Sequence, residues 1–232
     1  MVALALLGLF AQDPSQQAAA AMQAGRFAEA EKIYRALVKQ QPSFAPWHAN
    51  LGLALHSQKR FTEAIAPLER AMKLGGDARL AQVLAIDYVQ AKRWADAAPL
   101  LEKQRKFRDA AHAWWQARQY DKARPLYERL EQDFADNPEF NFEYGDLLAR
   151  IDGAEAALPY LEKAQALLPA RAALGKAYVE LSRWADAIPH LEAAAPADPD
   201  LLLPLSRAYK ENGRAADADR ALIEYKKRQR PQ

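Results

Sequence analysis

The sequence contains no cysteine, and its positive and negative side chains nearly cancel. Without cysteine the chain forms neither disulfides nor thiolate metal sites, which fits an exported protein as well as a cytosolic one. The 32 lysines and arginines and the 30 aspartates and glutamates leave a formal net charge of only +2. No large field of one sign would therefore attract nucleic acid or an anionic membrane, and neither is an expected partner.

Patterns that bind metals or cofactors are also missing from the sequence. Two of the four histidines, His48 and His56, stand eight residues apart on one predicted helix. That spacing is about 12 Å at about 1.5 Å per residue, which is too far for a shared metal. Gly75-Gly76 follows a helical pattern rather than a strand, so it does not predict a phosphate-binding loop. Carboxylates fall mostly at helix starts and on solvent faces, which argues against a paired general acid and base. We therefore expect no metal, no cofactor and no enzyme activity.

One apolar run stands out at residues 1–11, MVALALLGLFA. Its length matches the hydrophobic core of a signal peptide, and Leu9-Phe10-Ala11 is a candidate cleavage site, although no basic residues precede the run. The alternative is an apolar N-terminal helix that packs on the helices that follow. The run is well short of the roughly 20 residues that cross a bilayer, so no transmembrane span is expected. These features predict a periplasmic or secreted protein, with a cytoplasmic location as the alternative.

The rest of the sequence carries a two-helix pattern that recurs at intervals of 34, 33, 26, 34, 30 and 31 residues, counted between alanines of the second helices. An aromatic residue usually stands three positions before each alanine, and a leucine or tyrosine stands four positions after it. Spacings of three and four place these side chains on one helix face, where they would form a core between repeats. The alanines are Ala30, Ala64, Ala97, Ala123, Ala157, Ala187 and Ala218.

The first helix of each copy has a small residue twelve positions before that alanine, such as Gly52, Gly145 or Gly175. A small side chain at this position allows two helices to approach closely. A larger residue usually follows three positions later, as Tyr178 follows Gly175. A single helical hairpin cannot bury its apolar face alone, so the copies are expected to stack on one another.

This set of positions resembles the tetratricopeptide repeat (TPR) family, in which a small residue, two aromatics, an alanine and a closing proline recur on a period near 34 residues. The closing prolines are clear at Pro42, Pro169 and Pro199, and the resemblance covers about residues 11–226. It implies an all-α, right-handed superhelical solenoid of about seven TPR hairpins over residues 12–232. The predicted repeats are about 11–42, 45–76, 78–104, 105–137, 138–169, 170–199 and 200–228.

The interval of 26 residues before Ala123 departs from the family pattern. It predicts a shortened second helix in the third hairpin, from Ala95 to about Gln104, and an exposed helix face through which the chain could self-associate. The turn of the fourth hairpin is predicted at Gln119-Tyr120. Four prolines are predicted near the start of second helices, where an amide has little or no helical partner. These are Pro99, Pro125, Pro159 and Pro189.

The resemblance also implies where a partner binds. In TPR proteins the first helices line the concave surface, and extended peptides or helices lie there. The corresponding positions of the first helices in this sequence predict the lining of such a groove. Glu143 and Arg150 in the fifth hairpin also occupy such positions. The predicted groove residues are Asn50, Leu53, His56, Arg79, Gln82, Ile86, Arg108, His112, Trp115, Phe142, Asp146 and Lys176.

Trp115 leaves the core register of its helix, whereas Trp114 occupies the buried position. A surface that combines aromatic, apolar and cationic side chains suits peptide recognition. The alternative is that Trp115 and Phe142 pack against each other and hold an irregular junction together. TPR domains that bind the C-terminal carboxylate of chaperones use a set of lysine, asparagine and arginine side chains. Only Asn50 matches that set outright, so this ligand is not expected.

Together these observations predict a non-catalytic scaffold that binds a peptide or helix of a partner protein in its concave groove. The alternative is a structural subunit or adaptor of a cell-envelope enzyme or secretion complex. The identity of the protein partner does not follow from the sequence.

Overall fold

The computed structural model describes residues 13–229, and within that range every regular element is helical. Fourteen α-helices form seven consecutive hairpins, which confirms the predicted all-α class of repeated helical hairpins. A short 3-10 segment, Pro199–Leu201, precedes the last hairpin. The α-helices are α1 Pro14–Gln23, α2 Phe27–Gln40, α3 Ala45–Ser57, α4 Phe61–Lys73, α5 Leu80–Gln90, α6 Trp94–Lys103, α7 Phe107–Gln116, α8 Tyr120–Leu130, α9 Pro138–Ile151, α10 Ala154–Lys163, α11 Leu168–Glu180, α12 Trp184–Ala194, α13 Leu202–Glu211 and α14 Ala215–Arg228.

The described residues divide into two compact units, the first ending at Ala113 and the second starting at Trp114. In the first unit, α2 packs on α3 and α4 packs on α5, so the second helix of one hairpin contacts the first helix of the next. In the second unit, α10 packs on α11 and α12 packs on α13 in the same way. Each unit therefore contains the stacked hairpins that the repeat pattern predicts.

The core of each unit is built on the repeated alanines. All of them from Ala30 to Ala187 are fully buried, and Ala218 in the last hairpin is nearly so. Leu68, Leu161 and Leu191, four residues after their alanines, are also fully buried. The one-sided apolar pattern that spacings of three and four predicted is therefore the pattern that packs.

Most hairpin turns end the first helix with a Schellman motif, in which a residue in the left-handed region lets two amides bond back to the helix. In the second hairpin the amide of Lys59 donates to the carbonyl of His56, and the amide of Arg60 donates to the carbonyl of Leu55. Four of the left-handed residues in these turns are not glycine, with φ between 56 and 60°. They are Lys59, Lys92, Arg118 and Ser182, and Arg105 has the same conformation in the connection between α6 and α7.

A polar contact ties each of several second helices to the first helix of the next hairpin. In the second unit the Tyr178 hydroxyl donates to Glu162 over 2.8 Å. The guanidinium of Arg183, at the N-cap of α12, lies 4.5 Å from the centre of the Tyr178 ring and bonds Asp186 over 2.8 Å. The same four-residue contact recurs as Glu69, Tyr88, Arg93 and Asp96 and as Glu192, Tyr209, Arg214 and Asp217.

The second helix of the third hairpin is short, as predicted. Helix α6, Trp94–Lys103, has 10 residues, whereas the second helices range from 10 to 14. A three-residue connection, 104–106, and the 10-residue α7 account for the rest of the shortened interval. The connection has the left-handed residue of a hairpin turn, Arg105. The start of α7, Phe107-Arg108-Asp109-Ala110, repeats the pattern that opens second helices. Self-association stays a prediction.

Two smaller expectations are wrong. Tyr120 is the first residue of α8, so the fourth hairpin turns at residues 117–119 rather than at Gln119-Tyr120. Pro99 is the sixth residue of α6, where an amide would have bonded the carbonyl four residues earlier. Its helix therefore lacks one internal hydrogen bond and nevertheless continues to Lys103. Pro125, Pro159 and Pro189 lie inside their helices in the same way.

The predicted signal peptide, residues 1–11, lies outside the described residues. Over residues 13–229, no helix combines the length and the apolar character that crossing a membrane requires.

Candidate partner-binding grooves

The first unit has an open groove of about 620 Å³ between the first helices of its second and third hairpins. Three of the predicted residues, Asn50, Leu53 and Arg79, lie on it. We refer to it as the α3–α5 groove. Its lining consists of Ala45, Pro46, Ala49, Asn50, Leu53, Gly75, Gly76, Asp77, Arg79, Leu80 and Val83.

The α3–α5 groove is mostly apolar and has few polar groups. Arg79 at its rim forms an ion pair with Asp77, and hydrogen bonds from Arg79 lower the pKa of that carboxyl. Asn50 lies among alanine and leucine side chains, and its amide forms no hydrogen bond with the part of the chain that the structure describes. Two further predicted residues, Gln82 and Ile86, lie exposed on α5, with Ile86 42% exposed. The surface therefore offers apolar area with one unpaired amide.

His56 lies one helical turn beyond Leu53 on α3, at the end of this groove. Its Nδ1 is 2.6 Å from Oδ1 of Asp87 on α5, and the Asp87 side chain is fully buried. Burial raises the pKa of Asp87, while the hydrogen bond and the charge of His56 act in the opposite direction. Sequence reasoning placed His56 in the groove but missed Asp87, because a contact over 31 residues leaves no local pattern.

The second unit has an open groove of about 460 Å³ between α9 and α11, the first helices of the fifth and sixth hairpins. Its floor consists of alanines, among them Ala149, Ala172 and Ala173, and the exposed Leu168 adds apolar surface. We refer to it as the α9–α11 groove. Its lining consists of Phe142, Asp146, Ala149, Arg150, Ala154, Leu168, Pro169, Ala172, Ala173, Lys176, Ala177, Glu180, Ala194, Ala197 and Asp198.

The charges around the α9–α11 groove are paired across short distances. Arg150 donates to both carboxylate oxygens of Asp146, over 2.9 and 3.0 Å. Lys176 lies 4.0 Å from Asp198, and both side chains are largely exposed. The charged rim would therefore orient a partner, while the alanine floor would accept its apolar side chains.

Trp115 is fixed beside this groove by two contacts. Its indole Nε1 donates to Oδ2 of Asp146 over 2.9 Å, and its ring meets Phe142 edge-on with 5.9 Å between ring centres. Trp115 and Phe142 therefore pack against each other, as one of the two alternatives proposed. Trp115 also lines a small polar hollow of about 170 Å³ next to Tyr120 and Arg150. The ring is half-buried, so part of its surface is exposed to solvent.

The remaining predicted residues do not line either groove. Arg108 and His112 are half-buried on α7, and the His112 ring meets Trp94 edge-on at 5.6 Å. Glu143 is not a groove residue, because it is only 6% exposed and accepts a hydrogen bond from the Tyr127 hydroxyl over 2.7 Å. Within the described range, no cluster of three or more histidine, aspartate or glutamate side chains could hold a metal ion.

The stacked helical hairpins place the chain in the class of helical repeat proteins. The model of the tetratricopeptide repeat family matches residues 15–79 and 108–172, which together are more than half of the chain. The chain belongs to the TPR family. Residues 80–107, between the two matches, contain α5, α6 and the short connection, and residues 173–232 after the second match are also unmatched.

Solved structures show the same fold at low sequence identity. The C-terminal part of a TPR repeat-containing protein from Cytophaga hutchinsonii is 11% identical, with a TM-score of 0.58 over 90% of this chain and 93% of that one. A chain of the Naa15/Naa10 complex bound to HypK-THB is 15% identical, with a TM-score of 0.55 over 91% of this chain and 41% of that one. A chain of the APC/C hetero-tetramer Cut9-Hcn1 is 14% identical, with a TM-score of 0.52 over 90% and 44%. No curated protein matches the sequence.

Proposed function

We propose that this TPR protein is a non-catalytic scaffold that binds an extended peptide or a helix of a partner protein between successive first helices. The TPR fold supports a protein–protein interaction scaffold, and two of the similar structures were solved as assemblies of several proteins. The observation that carries the proposal is the alanine floor of the α9–α11 groove.

Small side chains on the floor leave space for a large side chain of the partner. A groove of about 460 Å³ has the size of a site for a small ligand or a few side chains. Burial of one leucine or phenylalanine from a partner contributes about 1.5–3 kcal/mol. Phe142 and Leu168 extend the apolar surface along the groove, and Arg150 and Lys176 supply polar contacts at its edge. This arrangement favours a segment with one or two large apolar side chains.

A groove-filling substitution tests the proposal. Peptides are selected from a displayed random library on the wild-type protein, and their affinities are measured by fluorescence anisotropy. Ala173→Trp fills the floor of the α9–α11 groove, so we expect it to weaken binding of the selected peptides at least about tenfold, or about 1.4 kcal/mol. Ala49→Trp is the corresponding change in the α3–α5 groove.

Matched controls place the same bulk outside the grooves. Ala185→Trp adds a tryptophan to an exposed position of α12 in the same hairpin as Ala173, and Ala66→Trp does so on α4. Circular dichroism establishes that all four variants keep the helical content of the wild type. Peptides that bind Ala49→Trp and Ala173→Trp as tightly as the wild type would rule out both grooves.

A further inference from the structure

Asp87 breaks the repeat pattern at a buried position. It lies ten residues before the alanine of its hairpin, and five of the other six hairpins have a buried apolar residue at that position. A charged group replaces a small apolar one here, and local rules of this kind are usually broken where a function requires it. The equivalent residues are Ala54, Ala113, Leu147, Ala177 and Ala208.

The surroundings of Asp87 do not supply hydrogen bonds to both of its carboxylate oxygens. Oδ1 is 2.6 Å from Nδ1 of His56, whereas Oδ2 has no hydrogen-bond partner. Among the buried side-chain nitrogen and oxygen atoms of residues 13–229, only Oδ2 of Asp87 lacks a hydrogen-bond partner. Buried polar atoms are normally paired, because an unpaired one loses its hydration without replacement. Packing alone therefore does not explain an aspartate at this position. The one interaction that Asp87 makes and an apolar residue could not make is its contact with His56.

His56 reaches the surface from this pair. Its side chain is 26% exposed, and its ring meets Phe61 edge-on at 5.6 Å. Leu53, one turn earlier on α3, and Val83, one turn before Asp87 on α5, both line the α3–α5 groove. The pair consequently lies at the end of the groove, with a buried acid behind a partly exposed imidazole.

We propose that Asp87 is a positioning residue for the α3–α5 groove, which fixes the His56 ring so that a hydrogen-bond donor of the bound segment is recognised. A carboxylate at Nδ1 holds the proton on that nitrogen and leaves Nε2 as an acceptor. No described residue bonds Nε2. The inference rests on the proposed function, because it specifies the ligand of one groove. The ligand is a segment that inserts an apolar side chain between α3 and α5 and presents an N–H or O–H group to His56.

The tautomer of His56 is tested first and needs no ligand. Long-range ¹H–¹⁵N spectra of the free protein at pH 8 distinguish a proton on Nδ1 from one on Nε2, and His56→Gln assigns the signal among the four histidines. We expect the Nδ1–H form in the wild type and a shift toward Nε2–H in Asp87→Ala. Asp87→Ala restores the residue that most hairpins have, so the variant should fold. An Nε2–H form in the wild type, or the same form in both proteins, would overturn the inference.

The second test measures recognition with peptides whose binding Ala49→Trp weakens. We expect Asp87→Ala and His56→Gln each to weaken these peptides about tenfold, and the double variant to be no weaker than either single variant, because the two side chains act as one unit. Peptide amides are replaced one at a time by esters, and side chains with an N–H or O–H donor are replaced by alanine. One of these replacements should weaken binding to the wild type but not to His56→Gln.

The outcomes separate the two proposals. Peptides that depend on Ala49 but bind Asp87→Ala and the wild type equally would remove the inference and leave the proposed function. If no selected peptide depends on Ala49, the proposed function fails for this groove and the inference fails with it. Asp87→Ala that loses stability while binding is unchanged would make Asp87 a structural residue only.

Discussion

At the scale of single residues, the two helices of a hairpin pack closely because a glycine of the first helix faces a leucine of the second. A Cβ atom added at Gly52, Gly145 or Gly175 would lie 2.5–2.9 Å from a buried leucine of the second helix. Real Cβ atoms do not approach so closely, so the leucine or its helix would have to move. The small residue predicted twelve positions before the alanine therefore sets how closely two helices pack.

Gly175→Ala tests this packing. A new Cβ would meet Leu191 at 2.7 Å, and Leu191 is fully buried. Overpacking of this kind costs about 1–3 kcal/mol, which outweighs the gain of up to about 1 kcal/mol from replacing a helical glycine by alanine. We expect a lower urea midpoint than that of the wild type. Leu191→Val in the same protein should recover part of the loss, and an unchanged midpoint for Gly175→Ala alone would show that the helices can separate without cost.

The residue scale is also where sequence reasoning reached its limit. The positions of Asn50, Leu53 and Lys176 in the grooves follow from the repeat register alone. The contact of His56 with Asp87 and that of Trp115 with Asp146 each span 31 residues and depend on how two helices meet. No local spacing predicts them, because hydrogen bonds between hairpins are set by the packing distance.

At the scale of helices, the hairpins are joined by apolar packing and by the tyrosine–glutamate contacts between them. Tyr178 and Tyr209 are buried and donate to Glu162 and Glu192. Burial and then the hydrogen bond to the carboxylate raise the pKa of both hydroxyls to about 12. These hydroxyls are therefore stabilised in their protonated form in the folded protein.

Alkaline stability tests these contacts. The unfolded chain releases tyrosine protons near the usual pKa of 10.0, whereas the folded protein retains them to about 12. The contribution is thus complete below pH 10 and is lost as the pH rises toward 12. We expect the urea midpoint to fall across this window, and to fall less in Tyr178→Phe/Tyr209→Phe.

Tyr225→Phe is the control for that comparison, because the Tyr225 hydroxyl has no hydrogen bond with other described residues. It should lose stability across the window as the wild type does. A decline of equal size in the double variant and the wild type would mean that these two hydroxyls do not contribute.

At the scale of the molecule, periodicity identified the fold because seven copies of one pattern agree with each other. Helix periodicity, the recurring alanines and the turn residues all predicted helical hairpins, and the described residues form them. One interval is irregular. Ala110 in α7 lies 13 residues from both Ala97 and Ala123, and α7 starts with the pattern of a second helix, so anchoring on one alanine per copy did not show that the connection before α7 is short.

The function of the molecule depends on which face of the hairpins meets the partner. Both grooves lie between first helices, and the second helices contribute only Ala154 and Ala194 to them. The second helices carry paired surface charges such as Arg93 with Asp96 and Arg183 with Asp186. Exposed ion pairs contribute little free energy, whereas burial of apolar surface between the first helices would contribute more. A partner should therefore bury the alanine and leucine surface of the first helices.

Backbone hydrogen exchange of the wild-type protein, free and saturated with a selected peptide, tests that claim most directly. For peptides that depend on Ala173 we predict slower exchange in α9 and α11, and for those that depend on Ala49 in α3 and α5. The second helices should be unchanged apart from the ends of α10 and α12 at Ala154 and Ala194. Slower exchange confined to second helices such as α10 and α12, with both grooves unchanged, would contradict the account.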